Sequence, residues 1–258
     1  MKDALHAEWT KVRTLRDTRW LVAATIVLTV ALGLSVAFGV SCDKAACTQD
    51  TTKLSLIGVM LGQAAVAILA VLMIGNEYST GMIRTTFAAM PGRSMVLAAK
   101  VVTLTALVVV SGTVAVLVSL FGARFVMAGN GFTAEHGVQA LSLADGPTLR
   151  AVVGSVLYLV LVGLLSLGVA AVFRDSAVAM GVVLGLLYLF PILAHVVPPG
   201  ELQKRLEQIA PMTAGLGIQT TRDLPSLPIG PWEGLGVLAA WAAAALLAAV
   251  PLLWTRDA

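Results

Sequence analysis

Apolar residues gather into six long stretches along the chain, at 20–40, 54–75, 95–123, 151–173, 176–197 and 232–254, with short polar segments between them. Each stretch reaches the roughly 20 residues that cross a bilayer's hydrocarbon core at a helical rise of about 1.5 Å per residue. A lone strand would leave its backbone polar groups unsatisfied in lipid, so all six are predicted as helices. A barrel would need many alternating segments of about ten residues, a pattern the chain does not have.

Residues 1–19 follow a different rule. Met1, Leu5, Trp9, Val12 and Leu15 recur every three or four positions, while Lys2, Lys11, Arg13, Arg16 and Asp17 fall elsewhere on the helical wheel. That spacing predicts an amphipathic helix lying in the headgroup layer, with Leu5, Trp9, Val12 and Leu15 as its interfacial face. The plainer alternative is a basic flank of the first span that happens to be helical. Glu8 with Lys11, and Arg13 with Asp17, are spaced to pair along it.

Composition narrows the class. At 58% hydrophobic and 12% charged, against about 45–50% and 25% in ordinary globular domains, and with a mean hydropathy of +0.91, the chain lacks the polar surface of a water-soluble body. Disordered, collagenous, coiled-coil and disulfide-scaffold classes are excluded on the same ground. Two cysteines exclude a cysteine-ligated metal fold. The 258 residues are therefore read as a single all-α, six-span membrane domain, residues 1–258.

Charge placement sets the expected orientation. With the N-terminus inside, the inner segments hold nine Lys/Arg in 44 residues and the outer segments seven in 74, and five of the nine precede the first span. The positive-inside rule then gives N-in and C-in. Gly39-Val40-Ser41-Cys42 resembles a lipoprotein cleavage box, but Gly39 stands where Leu is usual and the preceding apolar run exceeds an h-region, so the first stretch is kept as a span. Cys42 and Cys47 fall in the first outer loop, where they could close a small disulfide ring or remain free thiols.

The inner loop at 76–94 is far longer than a helical hairpin needs. Met82, Ile83, Phe87 and Met90 have helix-compatible spacing, and Pro91-Gly92 ends the pattern. A short helix with an apolar knob is a docking element of the helix-in-groove kind. In this loop the chain resembles the permeases of type-2 ABC exporters, actinobacterial members in particular. It carries Glu77 and, four residues on, Gly81, then Met82-Ile83-Arg84-Thr85-Thr86 and a basic residue after Pro91. Tyr78-Ser79 stand where that family often has charged residues. The six spans, the amphipathic N-terminal helix and the long last outer loop extend the resemblance over the whole chain. It implies that 76–94 is a coupling loop seated in a nucleotide-binding subunit, with Glu77, Tyr78, Gly81, Met82, Ile83, Arg84 and Phe87 at the docking surface.

The outer stretch 198–231 contains a short amphipathic helix around Leu202, Leu206 and Ile209, with Glu201 and Arg205 spaced to pair. An irregular, proline-rich return to Trp232 is expected after it. In the resembling family the corresponding region dips back into the outer leaflet, and a plain solvated loop is the alternative.

Ionisable residues are scarce inside the spans. Lys100 lies near the inner end of the third, where it is expected to snorkel, and His195 near the outer end of the fifth. Machines driven by ion gradients keep charges in mid-membrane, so this chain is expected to depend on another energy source. No G-x-x-x-x-G-K-[ST] occurs in it, so ATP and Mg are expected on a partner subunit and no cofactor in this chain. Gly33-Leu34-Ser35 with His195 as base is the only trace of an intramembrane hydrolase. Gly58 with Gly62, and Gly181 with Gly185, are G-x-x-x-G pairs for close helix packing within the chain or across a dimer. Gln63, Thr105, Ser111 and Ser166 are expected to hydrogen-bond between helices, and Pro191 to kink the fifth span.

The sequence thus reads as the permease subunit of an ATP-driven exporter in a bacterial cell membrane, moving a hydrophobic or amphiphilic substrate outward. Its expected partners are an ABC ATPase subunit, a second permease copy or a similar permease, and membrane lipid, with no nucleic acid. The alternatives are a non-transporting scaffold or assembly subunit and, last, the hydrolase.

Overall fold

The structure, a computed structural model, describes residues 2–42, 47, 49–82, 85, 92–133, 141–198 and 200–256. Among these the regular structure is helical, with no strand. The helices are α1 (Lys2–Thr14), α2 (Arg16–Gly39), α3 (Thr51–Leu56), α4 (Val59–Ser79) and α5 (Arg93–Gly129). They continue with α6 (Gly146–Phe173), α7 (Ser176–Val196), α8 (Glu201–Ile209), α9 (Pro211–Leu216) and α10 (Pro231–Arg256).

Six helices are long and apolar enough to cross a membrane: Arg16–Gly39, Thr51–Ser79, Ser94–Gly129, Gly146–Phe173, Ser176–Ala194 and Pro231–Leu252. Three of the starts are fixed by aspartates. Asp50, Asp145 and Asp175 each accept a hydrogen bond from the backbone N–H three residues on, at Lys53, Thr148 and Val178, satisfying donors that have no partner within the helix. The second span is longer than its apolar run because Asp50 caps α3 and Thr51 and Thr52 are buried. The third continues past Arg124 to Gly129, where the apolar run had ended at 123.

Burial orders the layers. About 61% of the most apolar window of the second span and 67% of that of the fourth are buried, against 22% for the first, fifth and sixth. α4 and α6 therefore form the centre, with α2 and α5 on one flank and α7 and α10 on the other. Small residues let the helices close up. A Cβ on Gly58 would strike the Thr29 carbonyl, and one on Gly62 the Thr29 hydroxyl, so this glycine pair packs α4 onto α2 within the chain. Gly181 and Gly185 have no atom within 4 Å of such a Cβ and lie on an open face of α7. Pro191 is accommodated inside α7.

The end of the bundle away from the termini is tied together by polar contacts. Asp50 accepts from Thr221 N, Thr221 Oγ1 and Arg222 N at 2.6, 2.8 and 3.0 Å. Arg222 donates to the Cys47 carbonyl, Arg150 to that of Thr220, and Asn130 to those of Ala37 and Val40. Cys42 and Cys47 are joined in a disulfide, with their Cα atoms 6.1 Å apart.

The stretch 198–231 is more ordered than the expected irregular return. After α8, α9 and a 3₁₀ turn at Gly217–Gln219 are largely buried. Ile218 packs on Gly154, and Gly215 lies against the Tyr158 ring, eight to twelve residues into α6, or roughly 12–18 Å along its axis. Gln219 donates to the Leu56 carbonyl and Ser155 Oγ. Small side chains on α6 leave the space that Ile218 fills, a complementarity that arises only once both segments are folded.

Candidate functional site

α1 packs on α5 and α2 at the end of the bundle where α10 also finishes. Its inward face is Ala4, Glu8 and Val12, at 2%, 4% and 8% exposure, a spacing of four that places them one above another. Of the expected interfacial face, only Val12 belongs to this inward one. Trp9 is 47% and Leu15 49% exposed, so these two point away from the bundle, to where a headgroup layer would lie.

Glu8 turns inward because two lysines meet it. Lys11 Nζ lies 2.9 Å from Glu8 Oε1 and 2.6 Å from Glu77 Oε1. Lys100 Nζ lies 3.0 Å from Glu8 Oε2 and 2.7 Å from Glu77 Oε1, and donates to the Met73 carbonyl at 3.0 Å. Two carboxylates and two ammonium groups thus form a neutral ring joining α1, the end of α4 and the start of α5. Glu8, Glu77 and Lys100 are all at most 4% exposed. Isolated charges so deeply buried would each cost several kcal/mol, and mutual pairing offsets that cost. Glu77 Oε1 accepts from both lysines, whereas its Oε2 is buried with no hydrogen-bond partner among the described residues.

Lys100 does not snorkel as expected. Its ammonium is turned into the protein, and at 1% exposure it is among the most buried large side chains. Lys11 sits at the rim. Burial alone would push its ammonium towards deprotonation, but the hydrogen bonds and charges of Glu77 and Glu8 outweigh burial and hold its pKa above the ordinary value of 10.5.

A second tie holds the same end of α4. The Arg174 guanidinium lies 5.4 Å from the Tyr78 ring centroid, within cation–π range, and Nη2 donates to the Leu252 carbonyl of α10 at 2.7 Å. Arg174 itself closes α6 in the left-handed region, with φ of 60°. The root of the loop that follows α4 is therefore connected to α1, α5, the α6–α7 junction and α10.

Of the residues expected to dock a partner, Glu77 and Tyr78 are engaged inside the bundle and Met82 is 48% exposed. Gly81 has φ of +72°, and a Cβ placed on it would meet no atom within 4 Å. Its backbone, not lack of space, requires glycine, and it turns the chain sharply out of α4. Ile83, Arg84, Phe87, Met90 and Pro91 lie outside the described residues, as do the side chains of Arg93 and His195. Ser35 is exposed on α2, and its hydroxyl donates to the Ala31 carbonyl of its own helix.

Sequence reasoning missed that Glu8 and Lys100 complete the ring. A signal was present: a lysine within an apolar stretch calls for a buried counter-charge, and Glu77 at the end of the neighbouring span is of the right sign. Of the polar residues expected to link helices, Gln63 does so, whereas Ser111 and Ser166 donate to the Leu107 and Val162 carbonyls of their own helices. Tyr158 donates to Gln63, whose amide reaches the Met60 carbonyl, and Tyr188 donates to the same carbonyl. Among the described residues no group of His, Cys, Asp and Glu is arranged to hold a metal ion. No known protein family matches the chain, and no curated protein does.

Proposed function

We propose that the chain is the permease subunit of an ATP-driven exporter of the type-2 ABC kind, with six crossings, both termini on the cytoplasmic side of a bacterial cell membrane, and 76–94 as the loop that a separate ATPase subunit grips. The observation that carries this reading is the charged ring rooted at Glu77. It fastens the start of that loop to α1 and α5, so a pull on the loop moves two further helices with it. A loop serving only to connect two spans has no need of such a root. The exposed Met82 and the turn at Gly81 then present the loop outward.

In this mechanism nucleotide binding on paired ATPase subunits draws the coupling loops together. Glu77 passes the displacement through Lys100 to α5 and through Lys11 and Glu8 to α1. The spans rearrange around α4 and α6 and release an amphiphile outward. The basic end of the bundle, with Lys2, Lys11, Arg13, Arg16 and Arg19 before the first span, supports the N-in orientation. The buried α9 segment supports a re-entrant element shaping the exit.

Co-expression with a nucleotide-binding subunit tests this. The wild-type chain is expected to co-purify with it and to alter its ATP hydrolysis. Gly81→Trp, strained by the positive φ, and Glu77→Arg, which places a third cation in the ring, are both expected to abolish coupling. Unchanged complex formation and hydrolysis in both variants would remove the docking assignment.

A further inference from the structure

Among the described residues, no carboxylate pairs with the arginines at the corner between α1 and α2. Leu15 is extended there, with φ of −73° and ψ of 124°, so Arg13 lies in the last turn of α1 while Arg16 and Arg19 lie in the first turns of α2. All three are exposed, and none makes a side-chain hydrogen bond among the described residues. Asp17 is exposed beside them and forms no ion pair with Arg13, although the two are spaced to meet. Glu8 and Glu77 add no net charge, because Lys11 and Lys100 neutralise them. Three arginines against one aspartate leave the corner with an excess of two positive charges.

The helix face that carries two of these arginines defines the anion. Arg16, Arg19, Trp20, Ala23 and Val27 stand at i, i+3, i+4, i+7 and i+11, which places them on one side of α2. All five are exposed, Trp20 at 74% and Val27 at 61%. Polarity on this face falls from guanidinium through indole to aliphatic over eleven residues, or roughly 16 Å. That is about the depth of one leaflet, half of a hydrocarbon core of about 30 Å. Indole rings sit at headgroup level, guanidinium groups offer phosphate two parallel N–H donors, and the small Ala23 between Trp20 and Val27 leaves room for a chain along the helix. We propose that this face of α2 binds an anionic phospholipid, with its phosphate at Arg16 and Arg19, its glycerol backbone beside Trp20 and an acyl chain along Ala23 and Val27. A soluble anion would use the arginines alone, and a zwitterionic lipid brings an ammonium that the excess positive charge disfavours. The site rests on α2 crossing a bilayer and needs no ATPase subunit.

The test is native mass spectrometry of the purified full-length chain in non-ionic detergent, titrated separately with dioctanoyl phosphatidylglycerol, dioctanoyl phosphatidylcholine and glycerol 3-phosphate. Each arginine near an anionic headgroup contributes about fivefold, so the wild type is expected to bind phosphatidylglycerol about tenfold or more tighter than phosphatidylcholine. Glycerol 3-phosphate is expected to bind more weakly than either lipid. Arg16→Gln combined with Arg19→Gln leaves Arg13 against Asp17 and is expected to remove the preference. Both side chains are exposed and make no hydrogen bond among the described residues, so the double variant is expected to fold as the wild type does. Lys204→Gln combined with Arg205→Gln removes the same charge from α8, at the other end of the bundle, and is expected to keep the preference. Equal affinity of the wild type for the two lipids, a preference that survives the α2 double variant, or an equal loss in the α8 double variant would overturn the proposal. So would glycerol 3-phosphate bound as tightly as phosphatidylglycerol, which would make the corner a site for free anions only.

Discussion

Replacing Lys100 by Met preserves much of the side chain's length and apolar volume while deleting the ammonium that bridges Glu8, Glu77 and the Met73 carbonyl. At the observed 3.0 and 2.7 Å, each ion pair contributes roughly 6 kcal/mol of attraction at an effective dielectric of about 20. Much of that is cancelled by desolvation, which costs several kcal/mol per buried ion. What the variant leaves behind decides the outcome: two buried carboxylates sharing only Lys11. Breaking a buried pair in this way costs about 3–5 kcal/mol, and that is the expected destabilisation. It is measured by SDS-titrated unfolding in mixed micelles, followed by tryptophan fluorescence, Trp9 lying beside Glu8 in α1, and by helical circular dichroism. Removing one carboxylate as well restores neutrality, so Lys100→Met with Glu8→Gln is expected to recover about half of the loss. A single-variant effect below about 1 kcal/mol, or a double variant no better than the single, would refute the ring as a cooperative unit.

Other outcomes follow from the same structure. Gly58→Leu drives a side chain into the Thr29 backbone and is expected to part α2 from α4 at a cost of about 1–3 kcal/mol, read in the same unfolding assay. Asp50→Ala removes the acceptor of four hydrogen bonds, from Lys53, Arg222 and twice from Thr221. It is expected to cost about 2–4 kcal/mol and to raise hydrogen exchange at 219–222 before the rest of the bundle is affected. Because Lys11 is held above its ordinary pKa of 10.5, its contribution to anchoring α1 is complete below that pH and is lost as pH rises through the elevated value. Limited proteolysis of α1 is therefore expected to be flat from neutral pH to about 9 and to increase only in strong alkali.

The spans were legible because length and apolarity alone define a crossing helix, and each of the six runs coincides with one of the six long helices, with shifts at the ends. Those shifts have causes a hydropathy pattern does not carry. Thr51 and Thr52 count as polar until Asp50 caps them into α3, and Arg124 looks like a loop start although the helix continues to Gly129. The inward face of α1 was not legible for a sharper reason. Periodicity picks out the apolar face with Trp9 and gives Glu8 no inward role, but Glu8 is an inward residue because lysines 3 and 92 positions away neutralise it. Charge complementarity between distant segments overrides the amphipathic pattern, and only folding brings Glu8 to Lys100. The inner ordering of 211–219 was hidden likewise, since its partners, Gly154 and Tyr158, lie on another helix.

The most direct measurement is ATP hydrolysis and amphiphile export in liposomes holding the chain together with a nucleotide-binding subunit. The account predicts that hydrolysis by that subunit depends on the chain, that a fluorescent amphiphile moves outward only with ATP, and that Glu77→Gln leaves the complex intact while lowering transport per ATP about tenfold or more. Hydrolysis indifferent to the presence of the chain, or full coupling in Glu77→Gln, would contradict it.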